Sequence, residues 1–219
     1  MISDDTVLNL WKKDLDFVPS DIWEQTSVTV LILADNGLTE VSEELGRLRH
    51  LRTLDLGHNQ LNSLPDSIGD LHGLSDFLYL HDNRLSKLPS SVSLLKSLRY
   101  LNISENRFSE FPDPVCNLSS LVELRATDNQ LSELPSCISR LSRLRELHLR
   151  NNNLVTLPSG VGDLKELRQL DLRGNPLEFL PGVIAELPRL EKLDLRWVNT
   201  LRAPDWLEAL EQHGCNVYR

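Results

Sequence analysis

Leucine positions along the chain recur with a fixed long period, and short apolar runs alternate with polar residues inside each period. In residues 51–65 the frame consists of Leu51, Leu54, Leu56, Asn59, Leu61, Leu64 and Pro65. The same frame returns at residues 98–112, 121–135, 144–158 and 167–181. Its asparagines are spaced by 23 residues, or once by 24, and they are Asn36, Asn59, Asn83, Asn106, Asn129, Asn152 and Asn175. Self-similarity at such a period predicts a solenoid of stacked repeats.

Two degenerate copies flank these seven units. The upstream copy has Lys13 in place of the asparagine, and in the downstream copy Asn199 arrives one residue late, after Trp197 and Val198. A solenoid needs atypical ends, because an unmodified end exposes core leucines to water. We therefore predict three parts: a degenerate first repeat and N-terminal cap at 1–27, leucine repeats at 28–199, and a C-terminal capping helix and tail at 200–219.

The spacing inside one repeat predicts its local structure. Leu54 and Leu56 alternate with polar residues, which is the period of a strand with one buried face. The proline that ends each frame, followed three residues later by Ile or Val, suits a helical or 3₁₀ turn. The predicted fold class is therefore α/β: a horseshoe-shaped solenoid with parallel strands on its concave face and short helical or 3₁₀ turns on its convex face.

The repeated asparagine stands where the chain turns off each strand. Its side-chain amide can bond buried backbone groups of the turn and of the neighbouring repeat, which otherwise lack partners. We therefore predict a continuous asparagine ladder, in which replacement of Asn129 by alanine costs on the order of 1–3 kcal/mol.

Different residues are expected to cover the two ends of the core. The segment from Pro204 to Gly214 has the pattern of an amphipathic helix, with proline near its start and glycine just past its end. Its apolar face would cover the last layer through Trp206, Leu207 and Leu210. At the other end the predicted cap consists of Leu10, Val18, Ile22 and Trp23.

The repeat resembles that of the leucine-rich-repeat family in its 23-residue intracellular form, and the resemblance covers essentially the whole chain. Within the family the chain is similar to small repeat-only proteins of the Ras-group type and to repeat proteins of plant-associated bacteria. Both share the stretch represented here by Leu64, Pro65, Ile68, Leu71 and Leu74. The first resemblance implies binding of a Ras-family protein, although the repeat scaffold alone does not carry that function over.

Charge and hydropathy narrow the range of partners. The net charge of -9 argues against nucleic acid, because phosphate binding depends on clustered Lys and Arg. No apolar run approaches the roughly 18 residues of a membrane span. Residues 1–5 lack the basic and apolar regions of a secretory signal. We therefore expect no nucleic-acid or membrane partner, a monomer, and a location in the cytoplasm or delivery to a host cell without a cleaved signal peptide.

The three cysteines, Cys116, Cys137 and Cys215, form no disulfide framework and no closely spaced metal-binding pair. We expect free thiols in a reducing compartment. The alternative is one disulfide between Cys116 and Cys137, which lie in adjacent repeats, although such bonds are rare in the cytosol.

Binding residues are expected at the exposed strand positions that vary between repeats, because solenoids bind through their concave surface. One cluster there is aromatic and lies on neighbouring strands roughly 5 Å apart: Phe77, Tyr79, His81 and Tyr100. The chain is only 5% aromatic, so three Phe and Tyr side chains at one place suggest a binding hot spot. For Phe77 the alternative is that its ring fills space beside the one-residue insertion near Leu74 to Leu78.

The second cluster is a row of arginines. Arg150, Arg173 and Arg196 share one frame position in three consecutive repeats, and Arg125 stands one step aside. They could fork onto carboxylates of a partner. Alternatively, they form a surface ion-pair ladder of little energetic value with Glu123, Glu146, Asp171 and Asp194. The remaining predicted partner-binding residues are Asn102, His148 and Trp197.

Signatures of catalysis are missing from the sequence, which has no glycine-rich phosphate loop, HExxH, GxSxG or metal-spaced Cys/His cluster. His58 and His81 lie near Asp55 and Asp82 but lack a third ligand at fixed spacing. We therefore expect no enzyme, no cofactor and no metal. The predicted function is a non-catalytic protein–protein interaction scaffold, regulatory in signalling or host interaction. The alternative is a recognition subunit or fragment of a larger protein whose catalytic part lies elsewhere.

Overall fold

The computed structural model describes residues 6–219, and within that range each repeat contributes one three-residue strand to a single parallel sheet. The strands β1 to β10 are Val7–Asn9, Val30–Ile32, Thr53–Asp55, Phe77–Tyr79, Tyr100–Asn102, Glu123–Arg125, Glu146–His148, Gln169–Asp171, Lys192–Asp194 and Asn216–Tyr218. Their order in the sheet is their order in the chain. Equivalent residues pair, so that Leu54 lies between Leu31 and Leu78. The predicted parallel solenoid is confirmed.

A five-residue 3₁₀ turn follows each of the first eight strands. These turns are Ser20–Glu24, Glu43–Arg47, Asp66–Asp70, Ser90–Leu94, Asp113–Asn117, Ser136–Arg140, Ser159–Asp163 and Gly182–Glu186. A proline directly precedes most of them, as Pro65 does, and the apolar residue three positions later, here Ile68, is fully buried. Proline suits this place because its fixed φ and missing N–H cost nothing there.

One apolar core runs the length of the solenoid between the strands and the turns. It extends from Ile22 and Trp23 at one end to Leu207 and Leu210 at the other. Phe108 occupies a frame position that is leucine in the other regular repeats, and it is fully buried. Full burial of one such side chain stabilises the fold by roughly 1.5–3 kcal/mol. The buried apolar side chains of the core therefore make the largest favourable contribution to the free energy of folding.

The asparagine ladder is present in all seven regular repeats. Asn59 is typical: its Oδ1 accepts from the backbone N–H of Leu38 at 3.1 Å, and its Nδ2 donates to the carbonyl of Leu33 at 3.1 Å. Each asparagine thereby joins its own repeat to the preceding one. Asn199 is exposed instead, and the hydroxyl of Thr200 donates to the carbonyl of Leu177 at 2.7 Å.

Both predicted caps cover the core, with one difference at the C-terminal end. Helix α1 spans Trp206–Gln212, which is shorter than the predicted segment, and it buries Leu207 and Leu210. The chain then forms β10, a strand that the repeat frame did not predict, and Val217 pairs with Leu193 of β9. The division at residues 27 and 199 remains a prediction, and residues 1–5, which bear on the secretory signal, lie outside the described residues.

The expectation of three free thiols is wrong, because Cys116 and Cys137 form a disulfide. They lie in the stacked turns Asp113–Asn117 and Ser136–Arg140. Stacking brings their Cα atoms to 5.7 Å, well within the range that a disulfide bridges. Cys215 is free and buried, and burial raises the pKa of its thiol to about 11.

Candidate protein-binding face

The concave face of the sheet carries three parallel columns of side chains. The first and third residues of each strand form two columns, because the strands pair in register. The residue after the third leucine of each frame forms the third column. Each of the eleven sequence-predicted binding residues falls in these columns, except Trp197, which directly follows the third-column residue Arg196.

The aromatic cluster, defined as Phe77, Tyr79, His81 and Tyr100, is a set of rings in mutual contact. The ring centroids of Tyr79 and Tyr100 are 5.0 Å apart, and Phe77 lies 5.8 Å from Tyr79 and 5.4 Å from Tyr100. These separations are those of favourable aromatic pairs. Phe77 is 42% exposed, so its ring does not fill a buried space beside the insertion.

Both tyrosine hydroxyls of the cluster stay protonated at neutral pH. Burial raises the pKa of Tyr100 to about 12 and also raises the pKa of Tyr79. Each phenol is therefore a neutral group that can both donate and accept a hydrogen bond. An apolar surface with polar tips of this kind is typical of interface hot spots.

His81 completes the cluster because its neighbour in the third column is Gly57. A Cβ on Gly57 would collide with the imidazole ring of His81, so only glycine lets this ring lie over the adjacent strand. Burial lowers the pKa of His81, and the nearby His58 lowers it further, which keeps the imidazole neutral. The Nδ1 atom of His58 in turn lies 2.7 Å from Oδ2 of Asp82.

A shallow cavity of about 270 Å³ opens beside the aromatic cluster. Its apolar wall consists of Phe77, Tyr100 and Val122, and the rim carries Asp76, Arg99 and Glu123. The cavity therefore offers a place for one apolar side chain of a partner next to groups of both charges.

The arginine row is paired with carboxylates of the same face. Arg173 makes two bonds to Asp171, of 2.9 and 2.6 Å, and Arg196 makes two to Asp194, of 2.9 and 2.7 Å. Arg150 donates to Asp128 at 2.8 Å, a carboxylate outside the expected set of Glu123, Glu146, Asp171 and Asp194. These pairs hold the guanidinium groups in place, while the side chains of Arg150 and Arg196 remain 37% and 41% exposed.

Asp194 is the most enclosed carboxylate of this row, with a side chain that is 1% exposed. Burial alone would raise its pKa. Hydrogen bonds from the side chain and backbone of Arg196 and the positive charges of Arg173 and Arg196 outweigh burial, and the pKa lies below its usual value. Asp194 is therefore ionised at neutral pH and anchors the C-terminal part of the row.

The sequence prediction missed Tyr218, which β10 adds to the concave face. Its ring is 43% exposed and lies 5.4 Å from both Nζ of Lys192 and the guanidinium carbon of Arg196. Arg196 also approaches the ring of Trp197 at 5.9 Å, in the geometry of a cation–π contact. The available sequence signal was the apolar Val217 between the polar Asn216 and the amphipathic Tyr218, which is the alternation of a short strand.

Residues 26–85, 76–131 and 135–201 match the family model described as leucine-rich repeat. The chain belongs to the leucine-rich-repeat family. Proteins of this family are generally scaffolds for protein interaction and typically non-catalytic. No helix within the described part of this leucine-rich-repeat protein is long and apolar enough to cross a membrane.

Solved structures similar to this leucine-rich-repeat protein come from bacteria and plants. A leucine-rich-repeat protein of Leptospira interrogans is 35% identical with a TM-score of 0.86, and the match covers 93% of this chain and 52% of that one. The ectodomain of the membrane receptor kinase GASSHO1/SCHENGEN3 from Arabidopsis thaliana, in complex with Casparian strip integrity factor 2, is 35% identical with a TM-score of 0.74. That match covers 89% of this chain and 24% of the receptor ectodomain. The chain thus spans about half or less of the length of these structures.

Proposed function

We propose that this leucine-rich-repeat protein binds a protein partner through its concave face, with the aromatic cluster as the centre of the contact. The observation that carries the proposal is the contact between exposed Phe77 and half-buried Tyr79 and Tyr100, in the middle of a face whose other positions are mostly polar or charged. A rigid repeat scaffold presents such a surface with little loss of conformational entropy on binding.

The charged columns beside the cluster give the proposed contact its specificity. Arg125, Arg150 and Arg173 are held by carboxylates and still expose part of each side chain. A partner with carboxylates at the matching spacing would gain forked hydrogen bonds from groups that are already ordered. The internal pairing and the net charge of -9 argue against a nucleic-acid partner.

The comparison with GASSHO1/SCHENGEN3 supports a regulatory version of this proposal. That receptor kinase ectodomain forms a complex with Casparian strip integrity factor 2. We propose that this chain also binds a protein partner and thereby acts in signalling or host interaction, without catalysing a reaction.

We propose that the protein is a monomer, because Ile22 and Trp23 at one end and Leu207 and Leu210 at the other cover the core. Size-exclusion chromatography with light scattering should give the mass of one chain, and a dimer mass at micromolar concentration would contradict this.

The disulfide bears on localisation. Such bonds persist in oxidising compartments, so the bond between Cys116 and Cys137 favours a location outside the cytoplasm over the cytoplasmic one expected from the sequence.

Site-specific photo-crosslinking tests where the partner binds. A photoreactive phenylalanine analogue replaces Tyr100 on the concave face in one protein and Leu94, an exposed residue of a convex turn, in another. Both proteins are irradiated in extract of the source organism and its host. We expect a crosslinked protein from position 100 only. The same product from position 94, or from position 94 alone, would place the contact elsewhere.

A further inference from the structure

Two carboxylates and one imidazole converge on the concave face beside the arginine row. Glu123 on β6 and Glu146 on β7 are register neighbours in the first column, and His148 stands two residues after Glu146 in the second. Among the residues that the structure describes, these three form a group whose donor atoms all lie within 4.8 Å of one another.

The separations are close to those of a bound metal ion. Ligand atoms bonded to Zn²⁺ at about 2.0–2.2 Å in a tetrahedron are roughly 3.3–3.6 Å apart. Nε2 of His148 lies 3.2 Å from Oε2 of Glu146 and 3.9 Å from Oε1 of Glu123. The carboxylate oxygens of Glu123 and Glu146 lie within 4.8 Å of each other, so a change in the Glu123 rotamer that brings its oxygen closer to both partners would complete one face of the tetrahedron.

Burial and charge favour a cation at this point. The side chains of His148, Glu123 and Glu146 are only 14%, 21% and 33% exposed. Neighbouring carboxylates on paired strands repel each other, and water screens this repulsion less where the groups are partly buried. A divalent cation between them removes that repulsion.

Arg125 is the competitor for the same carboxylate. Its Nε donates to Oε1 of Glu123 at 2.6 Å, and it therefore supplies part of the compensating charge when no metal is bound. A cavity of about 220 Å³ adjoins His148 and Arg125. It gives the arginine room to withdraw and water room to complete the coordination shell.

We propose that Glu123, Glu146 and His148 bind a Zn²⁺ ion on the concave face. One imidazole with two carboxylates matches the ligand preference of Zn²⁺, whereas Mg²⁺ and Ca²⁺ prefer shells made of oxygen alone. Three protein ligands leave one tetrahedral position for water. The site does not require the proposed protein contact, although both involve Arg125 and His148.

Calorimetric titration of the untagged, metal-free protein with Zn²⁺ tests the site, and Mg²⁺ serves as the contrasting ion. Wild type should bind one Zn²⁺ per chain. His148→Gln and Glu146→Gln should weaken binding by at least the roughly 10- to 100-fold that loss of an outer hydrogen-bond partner causes. His58→Gln is the matched control, because His58 also faces a carboxylate, Asp82, but belongs to no group of three such ligands among the described residues. Arg125→Gln should tighten binding.

Nitrogen NMR of the imidazoles identifies the ligand directly, since the signals of His148 should shift first during the titration. Circular dichroism confirms that each variant is folded. The proposal is overturned if His148→Gln binds Zn²⁺ as wild type does, or if His58→Gln loses as much affinity. It is also overturned if Glu123→Gln and Glu146→Gln both leave the affinity unchanged, because the imidazole alone then holds the ion.

Discussion

Replacement of Asn152 by alanine removes one asparagine of the ladder at a position where the lost hydrogen bonds can be counted. Asn152 is 4% exposed. Its Oδ1 accepts from the N–H of Leu131 at 3.0 Å, and its Nδ2 donates to the carbonyls of Ala126 and Leu149, at 2.8 and 3.0 Å, and to that of Arg150.

Two of these four backbone groups keep another partner in the variant. The carbonyl of Leu149 still accepts from Asn175, and that of Arg150 still accepts from the N–H of Asp128. The N–H of Leu131 and the carbonyl of Ala126 lose the bond that Asn152 makes to them. At about 1–3 kcal/mol for each unsatisfied buried group, the variant should lose roughly 2–6 kcal/mol of its free energy of unfolding.

Urea unfolding at 25 °C, followed by circular dichroism, measures this loss. Asn153→Ala is the matched control, because Asn153 is exposed and its side chain donates a single long bond, of 3.5 Å, to the carbonyl of Gln130. The control should change the free energy of unfolding by no more than about 0.5 kcal/mol. If Asn152→Ala is as stable as the control, the asparagine ladder does not hold adjacent repeats together.

Two further predictions concern the disulfide and the buried carboxylate. The double replacement of Cys116 and Cys137 by serine should cost about 3 kcal/mol, the entropy of closing a loop of this length. A reductant should then lower the Tm of wild type but not that of the variant, and an equal response of both would count against the bond. For Asp194, the lowered pKa of the folded state means that its contribution to stability is present above about pH 4 and lost as the pH falls further. Asp194→Asn should therefore be less stable than wild type at pH 7, and it should lose less stability than wild type between pH 5 and pH 3. The prediction is contradicted if the urea midpoints of the two proteins fall by the same amount across this range.

The repeat architecture could be predicted from the sequence because its determinants recur at a fixed spacing. A period of 23 residues places Leu54 and its equivalents in one core column and Asn59 and its equivalents in one ladder. The same arithmetic brought Phe77, Tyr79 and Tyr100 onto neighbouring strands, where the rings are in contact.

Features that depend on contacts outside the frame could not be predicted in this way. The pairing of Arg150 with Asp128 depends on the direction in which the two side chains point. The repeat spacing alone also allowed an ion pair between Arg150 and Glu146. The disulfide depends on how two turns stack, because Cys116 and Cys137 are separated by 21 residues and not by one period. Strand β10 has only three residues and no leucine frame, so its pairing with β9 was not apparent.

The most direct test of binding through the concave face uses the partner that crosslinking identifies. This partner is purified, and its affinity for single variants is measured. Phe77→Ala and Tyr100→Ala are compared with Leu94→Ala, which removes an exposed apolar side chain from a convex turn. Truncation of a hot-spot aromatic residue should cost about 2 kcal/mol or more, which is a loss of affinity of roughly 30-fold. We expect that loss for Phe77 and Tyr100 and an unchanged affinity for Leu94. Unchanged affinity for both aromatic variants, with correct folding, would contradict the assignment of the concave face as the binding surface.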